Sequence, residues 1–169
     1  NSVRVKRLNL SYEKNNFFLR VLNSIILGIN IFVNSLLSKY DNIIVSTYPP
    51  VILAFFASVA SKMTGAKLIY HCMDLQPEIG KISGEFNNKL LFKLLETIDS
   101  WSCHQAHKIV VLSSDMKKAL EERNIAKDKI YVINNFSLGT NAKHMEPLNI
   151  NYPKEKFKII FAGNVGRYQ

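Results

Sequence analysis

Blocks of apolar residues alternate with polar stretches along this chain, and their periods predict strands and helices in turn. Residues 3–9 alternate between apolar and polar or basic side chains, which predicts a short strand with one solvated face. The continuous apolar run at 42–46 predicts a strand that is buried on both faces. Three more strands are predicted at 67–72, 107–112 and 128–134, with helices at 51–63, at 87–102 and from Ser113 or Ser114 to Glu122.

The longest apolar run extends from about residue 16 to residue 37. Polar residues interrupt it mostly at steps of three or four, as a stripe along one side of a helix: Arg20, Asn23, Ser24, Asn30, Asn34 and Ser35. This pattern favours a largely buried amphipathic helix. The length would also permit a membrane span, but the polar groups would be costly in lipid.

The order of these elements indicates an α/β fold with a parallel sheet, because strands alternate with helices. Residues 138–155 show no period and contain Gly139, three Asn and two Pro, so we interpret them as a linker. A strand at 156–161 and the glycine turn after it predict the start of a second domain. We therefore expect a partial first domain at 1–137, a linker at 138–155 and a truncated second domain at 156–169.

Composition and charge narrow the classes of protein. Hydrophobic residues make up 47% and charged residues 21%, which is typical of a globular protein with a core. The net charge of +9 favours polyanionic partners: nucleic acid, an anionic membrane surface or phosphorylated small molecules. Because no nucleic-acid motif is present, we expect no nucleic-acid partner. Two cysteines and no signal peptide favour a reducing cytoplasm.

Ligands of open parallel sheets bind in the loops at the carboxyl ends of the strands, so chemistry is expected there. Gly163 and Gly166 form the phosphate-type candidate, although a tight left-handed turn would have the same pattern. Asp74 and Glu78 are either a general-base pair or a loop acid and a helix N-terminal acid. We expect no metal site, because the candidate ligands come from two separate segments without metal-site spacing: His71, Cys72, Cys103, His104 and His107.

Five segments, in this order, resemble the family-4 glycosyltransferases, especially the bacterial branch that builds lipopolysaccharide, capsule and exopolysaccharide. The segments are YDNIIVS at 40–46 with Pro49-Pro50, DLQPE at 74–78, AHKIVVLS at 106–113, KIYVINN at 129–135 and FAGNVG at 161–166. The resemblance covers about 40–169 and implies a GT-B fold, in which two Rossmann-like domains face each other across a cleft. It implies a retaining enzyme, of the hexosyl or N-acetylhexosaminyl type, without a catalytic metal or other cofactor.

The resemblance also implies roles for particular residues. Gly163, Asn164, Gly166 and Arg167 would lie near the diphosphate of a nucleotide-sugar donor, with Asn135 just before the interdomain linker in a binding or structural role. Asp74 would line the cleft on the acceptor side. The acceptor would be a glycan, often lipid-linked, and the basic, apolar first forty residues would suit peripheral contact with the inner, anionic face of the cell membrane.

Three positions depart from the family pattern. Met73 stands where relatives often have His or Arg, so His71 is the candidate replacement; Gln76 replaces an aromatic residue and Asn134 a proline. The family's first strand would precede Asn1 and most of its donor domain would follow Gln169, so we expect this fragment alone to be inactive. The alternative reading is a non-catalytic module, left from a degenerate glycosyltransferase, that binds a membrane or a partner.

Overall fold

The computed structural model describes residues 5–12, 16–48, 51–75 and 88–135. The chain divides into two compact units, 1–134 and 135–169, and all described residues except Asn135 belong to the first. The elements are α1 (Phe17–Leu37), β1 (Asn42–Ser46), α2 (Ile52–Thr64), β2 (Lys67–Cys72), α3 (Lys89–Gln105), β3 (Lys108–Val111), α4 (Ser114–Glu122) and β4 (Ile130–Val132). The predicted linker at 138–155 and the strand at 156–161 lie outside the described residues.

Polar side chains and one glycine mark the helix ends, as the sequence suggests. Asn16 and Asn88 begin α1 and α3 by accepting hydrogen bonds from two backbone N–H groups each. Ser113 caps α4 through the N–H of Met116, at 3.2 Å. Gly65 ends α2 with a φ of 76°, a left-handed conformation that glycine adopts without steric cost.

The four strands form one parallel sheet in the order β1-β2-β3-β4. Right-handed crossovers between strands in consecutive order place their connecting helices on the same face of the sheet. The burial pattern agrees, because the side chains of that face form the core: Ile43, Val45, Leu68, Tyr70, Cys72, Ile109, Val111 and Ile130. The predicted α/β fold with a Rossmann-like parallel sheet is confirmed.

One prediction about β1 is wrong. The strand alternates between buried and exposed positions, and Ile44 is 71% exposed on the face opposite the core. On the neighbouring strands, Ile69 and Val110 lie on this same open face and are only half-buried. The described helices cover one face of the sheet, whereas the sequence predicted a strand buried on both.

The predicted helix at 16–37 is confirmed as α1, but its orientation differs from the expectation of a largely buried helix. α1 packs against α2, and its polar residues Asn23, Ser24 and Ser35 are buried, whereas many of its large apolar residues are exposed. α1 is long and apolar enough to cross a membrane, but core helices of soluble proteins can be so too. Of the apolar 18-residue stretch of α1, 22% is buried inside the protein. Periodicity located the polar stripe and did not reveal which side faces the protein.

The predicted strand at 3–9 is also wrong over its described residues. Residues 5–12 have no regular secondary structure. They run beside α1, where Lys6 Nζ donates to Asn34 Oδ1 at 3.1 Å. Ser11 and Asn23 form two hydrogen bonds, at 2.8 and 3.3 Å, between the backbone of one and the side-chain amide of the other. Side chains of α1 therefore form hydrogen bonds with this segment, as a neighbouring strand would have done.

Candidate functional site

The carboxyl ends of all four strands meet at one edge of the sheet, because the strands are parallel. In open α/β sheets this edge is where ligands bind. The described residues that follow the strands there are Thr47 and Tyr48 after β1, Met73, Asp74 and Leu75 after β2, Leu112 and Ser113 after β3, and Ile133 and Asn134 after β4. This carboxyl edge is the candidate site.

A buried threonine fixes the turn after β2. Thr47 is 3% exposed, and its Oγ1 accepts a hydrogen bond of 3.2 Å from the backbone N–H of Met73. Cys72 Sγ donates to the carbonyl oxygen of Asp74 at 3.4 Å. The first contact joins the backbone N–H of Met73 to the residue after β1, and the second joins the backbone carbonyl of Asp74 to the last residue of β2. Sequence reasoning placed Thr47 in a candidate loop without giving it a role, and its position directly after a strand was the available signal.

Asp74, the predicted catalytic residue, is exposed at the carboxyl edge. Its carboxylate is therefore accessible from solvent, while its backbone is held by the Cys72 contact. An exposed, positioned carboxylate can accept hydrogen bonds from sugar hydroxyl groups or take a proton as a general base. Glu78, its predicted partner, lies outside the described residues.

His71, the second predicted catalytic residue, lies within β2 and is half-buried. Its neighbours in register are Ser46 on β1 and Val110 on β3, so its side chain belongs to the open face of the sheet. Among the described residues no hydrogen bond joins His71 to Asp74. The two residues are close in sequence at the carboxyl end of β2, but the structure does not connect them as a pair.

The start of α2 adds a backbone feature to the same edge. Val51 has φ 60° and ψ −56°, a conformation that is rare and costly for a β-branched residue, and it is 3% exposed. Val51 also has no polar side chain with which to cap the first turn of α2. The first N–H groups of α2 are therefore directed toward the carboxyl edge without a side-chain cap from Val51, an arrangement that suits an anion.

Behind this edge, a buried polar network links three elements. Tyr70 of β2 donates from its hydroxyl to Asp99 Oδ1 of α3 at 3.0 Å, and Arg123, just after α4, donates to Asp99 Oδ2 at 2.7 Å. Burial, together with the negative charge of Asp99, raises the pKa of the Tyr70 phenol well above its usual value. Tyr70 therefore remains a neutral hydrogen-bond donor, and the network supports the strand that carries His71.

The other predicted binding residues all follow β4 in the sequence. Asn135 is exposed and follows β4 shortly after its end. Gly163, Asn164, Gly166 and Arg167 lie outside the described residues. Within the described part of the chain, no three His, Cys, Asp or Glu side chains come together as metal ligands.

A family model decides the identification. The model for Glycosyltransferase Family 4 matches residues 3–136, which is most of the chain and includes all four strands. The chain belongs to glycosyltransferase family 4. No curated protein and no solved structure matches it. The match confirms the predicted family and its general function, the transfer of a sugar from a donor to an acceptor.

A cleft of about 640 Å³ in this glycosyltransferase lies elsewhere. It is formed by the last residues of α1 and α2 and the first residues of β1 and β2, and its polar lining includes Lys39, Asp41 and Lys67. The cleft is thus at the amino edge of the sheet, opposite Thr47 and Asp74. It contains no residue that the sequence predicted for the site.

Proposed function

We propose that the protein is a retaining glycosyltransferase that transfers a hexosyl or N-acetylhexosaminyl group from a nucleotide-sugar to a lipid-linked glycan acceptor in cell-surface polysaccharide synthesis. The observation that carries the proposal is the family match over residues 3–136, on a parallel sheet whose carboxyl edge presents the exposed carboxylate of Asp74. The resemblance of FAGNVG at 161–166 and DLQPE at 74–78 to that family supports the donor and acceptor assignments.

In this proposal the two sides of the reaction use different parts of the chain. Asp74 contacts the acceptor and accepts the proton of the attacking hydroxyl or orients that hydroxyl, with His71 beside it. Gly163, Asn164, Gly166 and Arg167 contact the donor diphosphate, where backbone N–H groups and a guanidinium would stabilise the charge that develops on the leaving group. Asn135 contributes to the same donor side. The reaction needs no metal or other cofactor, because these groups neutralise the diphosphate.

The location of the enzyme follows from its acceptor. A lipid-linked acceptor is held at a membrane, so the enzyme works in the cytoplasm at the inner face of the cell membrane. The basic, apolar first forty residues support this location.

The test uses protein expressed from the complete coding sequence, incubated with a panel of radiolabelled nucleotide-sugars and a polyprenyl-diphosphate-linked acceptor. Transfer is measured by extraction of labelled lipid, and the anomeric configuration of the product by NMR. Asp74→Asn is expected to lower kcat/KM by about a hundredfold or more, the effect of losing a general base. The matched control is Asp128→Asn, an exposed carboxylate at the amino end of β4, which is expected to retain full activity.

The outcomes separate the two candidate functions. Transfer with inversion of the anomeric configuration would contradict the retaining mechanism. Equal activity of Asp74→Asn and Asp128→Asn would remove Asp74 from the site. A protein that transfers no sugar from any donor, yet binds membranes or a partner, would be the non-catalytic module.

A further inference from the structure

The cleft at the amino edge of the sheet, which we call the amino-edge cleft, lies where two helices end and two strands begin. α1 ends at Leu37 and α2 at Thr64, and the chain then enters β1 and β2. The volume of about 640 Å³ is within the range of about 300–1,000 Å³ that small-molecule sites usually have. The five residues of β1 span about 17 Å, so a small ligand in this cleft would not contact Asp74.

A buried serine in the amino-edge cleft lacks the hydrogen bond that comparable serines form. Ser35 is 5% exposed and lines the cleft. The other buried serines of the described helices donate to backbone carbonyl groups at 2.6–2.9 Å: Ser24, Ser58, Ser61 and Ser102. Within the described ranges the Ser35 hydroxyl has no such bond, and it is not fully enclosed by the protein. Because buried polar groups normally have a partner, this hydroxyl is available to a group that enters the cleft.

Three charged side chains of the cleft are also available. Lys39, Asp41 and Lys67 line it, and none of them forms an ion pair or a side-chain hydrogen bond with another residue of the described part of the chain. Their backbone is fixed, because the N–H of Lys67 donates to the carbonyl oxygen of Asp41 at 2.9 Å. The cleft therefore presents two ammonium donors and a carboxylate acceptor at the starts of β1 and β2.

The two helix ends limit the charge of a ligand in this cleft. The carboxyl end of a helix carries about half a negative charge and has carbonyl groups without helical partners. Both α1 and α2 end at the cleft, and together with Asp41 they offset the charges of Lys39 and Lys67. This arrangement does not favour a phosphate, which helix amino ends attract. It favours an uncharged ligand that has both hydrogen-bond donors and acceptors.

Apolar surface in the same cleft narrows the class of ligand further. The Tyr40 ring is 50% exposed and the Met63 side chain 62% exposed, and both line the cleft. The ring of a sugar has an apolar surface of C–H groups that can lie against an aromatic face. Each sugar hydroxyl both donates and accepts, which matches the mixture of lysine, carboxylate, hydroxyl and carbonyl groups in this cleft.

We propose that the amino-edge cleft binds an uncharged saccharide, whose hydroxyl groups form hydrogen bonds with Ser35, Asp41 and the two lysines while its apolar face lies against Tyr40. The proposal adds a second saccharide site to the one at the carboxyl edge. It rests on the function proposed above only for the identity of the glycan, because binding to the cleft can be measured without sugar transfer.

The first experiment measures binding of uncharged saccharides to protein from the complete coding sequence by isothermal titration calorimetry. The probes are methyl glycosides of hexoses and N-acetylhexosamines, and uncharged oligosaccharides of the same sugars. Asp41→Ala is expected to weaken binding by about tenfold or more, the effect of losing a hydrogen bond to a charged group. The matched control is Asp128→Ala, an exposed acid that does not line the cleft, and it is expected to bind as the unchanged protein does.

The same titrations identify the source of the saccharide. Tighter binding of the oligosaccharides than of the methyl glycosides would identify a glycan chain as the ligand. Equal binding of the two would identify a single sugar.

Ser35→Ala separates binding from stability. Without ligand, this change removes a buried hydroxyl that has no protein partner, so the midpoint of urea unfolding is not expected to fall. The affinity for the saccharide is nevertheless expected to fall by about two- to tenfold. The matched control is Ser24→Ala on the same helix, whose hydroxyl is bonded to the Arg20 carbonyl, and it is expected to keep full affinity. Equal losses of affinity in the two variants would contradict the role of Ser35.

A second measurement locates the ligand directly. Met63 lines the amino-edge cleft and Met73 lies at the carboxyl edge, and both are exposed, so isotope-labelled methionine methyl groups report on the two sites by NMR. The signals are assigned with Met63→Leu and Met73→Leu. The saccharide is expected to shift the Met63 signal, and Asp41→Ala is expected to remove that shift.

Four results would overturn the proposal: no uncharged saccharide binds, only the Met73 signal shifts, Asp41→Ala and Asp128→Ala lose affinity equally, or phosphate shifts the Met63 signal where no saccharide does. The last result would assign the cleft to an anion. The function proposed above is tested separately, because Asp74→Asn is expected to lower sugar transfer and to keep the Met63 shift. Loss of transfer with the shift retained, or the reverse, therefore shows which of the two proposals fails.

Discussion

Thr47 is the residue that connects the end of β1 to the turn before Asp74. Its hydroxyl is the acceptor for the N–H of Met73, at 3.2 Å. Thr47→Val keeps the shape and removes the acceptor, so we expect the turn to loosen. We expect the unfolding free energy, measured by urea denaturation, to fall by about 1 kcal/mol. We expect kcat/KM for sugar transfer to fall by a larger amount, when the change is expressed as a free energy.

The matched control for this change is Thr97→Val. The Thr97 hydroxyl is exposed and donates to the Lys93 carbonyl. Both residues lie within α3, so neither belongs to the loops of the carboxyl edge. That variant is expected to keep both the stability and the activity of the unchanged protein. If Thr47→Val lowered stability and left transfer unchanged, Thr47 would have a structural role without positioning the site.

Asp99 is the second residue on which several elements depend. Its two carboxylate oxygens accept from Tyr70 and Arg123, and the Arg123 and Asp99 side chains are only 9% and 4% exposed. Asp99→Asn keeps the shape but leaves the guanidinium of Arg123 without its charge partner at this contact. We expect the unfolding free energy to fall by about 3–5 kcal/mol, measured by urea denaturation.

An ion pair at the surface provides the comparison. Lys127 and Glu121 are 3.5 Å apart, and the Lys127 side chain is 79% exposed. Glu121→Gln is therefore expected to change the unfolding free energy by less than about 1 kcal/mol. Similar losses for Asp99→Asn and Glu121→Gln would show that burial does not distinguish the two pairs.

Among the elements, α1 and α2 depend on one close contact. A glycine in a helix normally costs about 1 kcal/mol relative to alanine, so Gly28→Ala would stabilise an isolated helix. In this chain the added methyl group would overlap the Phe56 ring. We expect Gly28→Ala to lower the unfolding free energy by about 1–3 kcal/mol, the usual effect of overpacking.

A second background reverses the sign of this effect. In a Phe56→Ala protein the space above residue 28 is open, and Gly28→Ala is then expected to raise the unfolding free energy relative to Phe56→Ala alone. Urea denaturation of the two single variants and the double variant measures the coupling between the sites. Independent, additive effects would contradict the close approach of α1 and α2.

The elements also show what could be predicted from the sequence. Helix ends were predictable where one residue marks them, as Gly65 does after α2 and Ser113 before α4. Strands were predictable from their apolar runs, as in β2 and β3. The strand predicted at 3–9 was not found in its described residues because alternation is also compatible with a segment that bonds to helix side chains, as Ser11 does with Asn23. A strand requires a partner, and the pattern alone does not supply one.

The candidate site was predictable in part for a similar reason. Asp74 was predicted because it follows a predicted strand, at the edge that parallel strands share, and His71 because it could replace the His or Arg that the family often has at the position of Met73. Both stay predictions. Thr47 was missed as a positioning residue because its role is a contact with Met73, far away in sequence. The inward orientation of the polar residues of α1 was missed because it depends on how α1 packs against α2, which a periodic pattern does not contain.

At the scale of the whole molecule, the layers decide which apolar residues are buried. Consecutive strand order places the crossover helices on one face, and the described residues leave the other face open. Ile44 and Val45 test this arrangement, because they are neighbours in β1 on opposite faces, 71% and 4% exposed. In the 169-residue chain, Val45→Thr buries a hydroxyl group in the core, and we expect a loss of about 1–3 kcal/mol of unfolding free energy.

Ile44→Thr, by contrast, places its hydroxyl in solvent and is expected to change the unfolding free energy by no more than about 0.5 kcal/mol. Threonine has a high β propensity, so neither change should disturb the strand itself. Urea denaturation of both variants in the same chain gives the comparison. Equal losses would mean that a second layer covers the open face, as parallel sheets usually require. A loss at Ile44 that appears only in protein from the complete coding sequence would instead place that second layer outside these 169 residues.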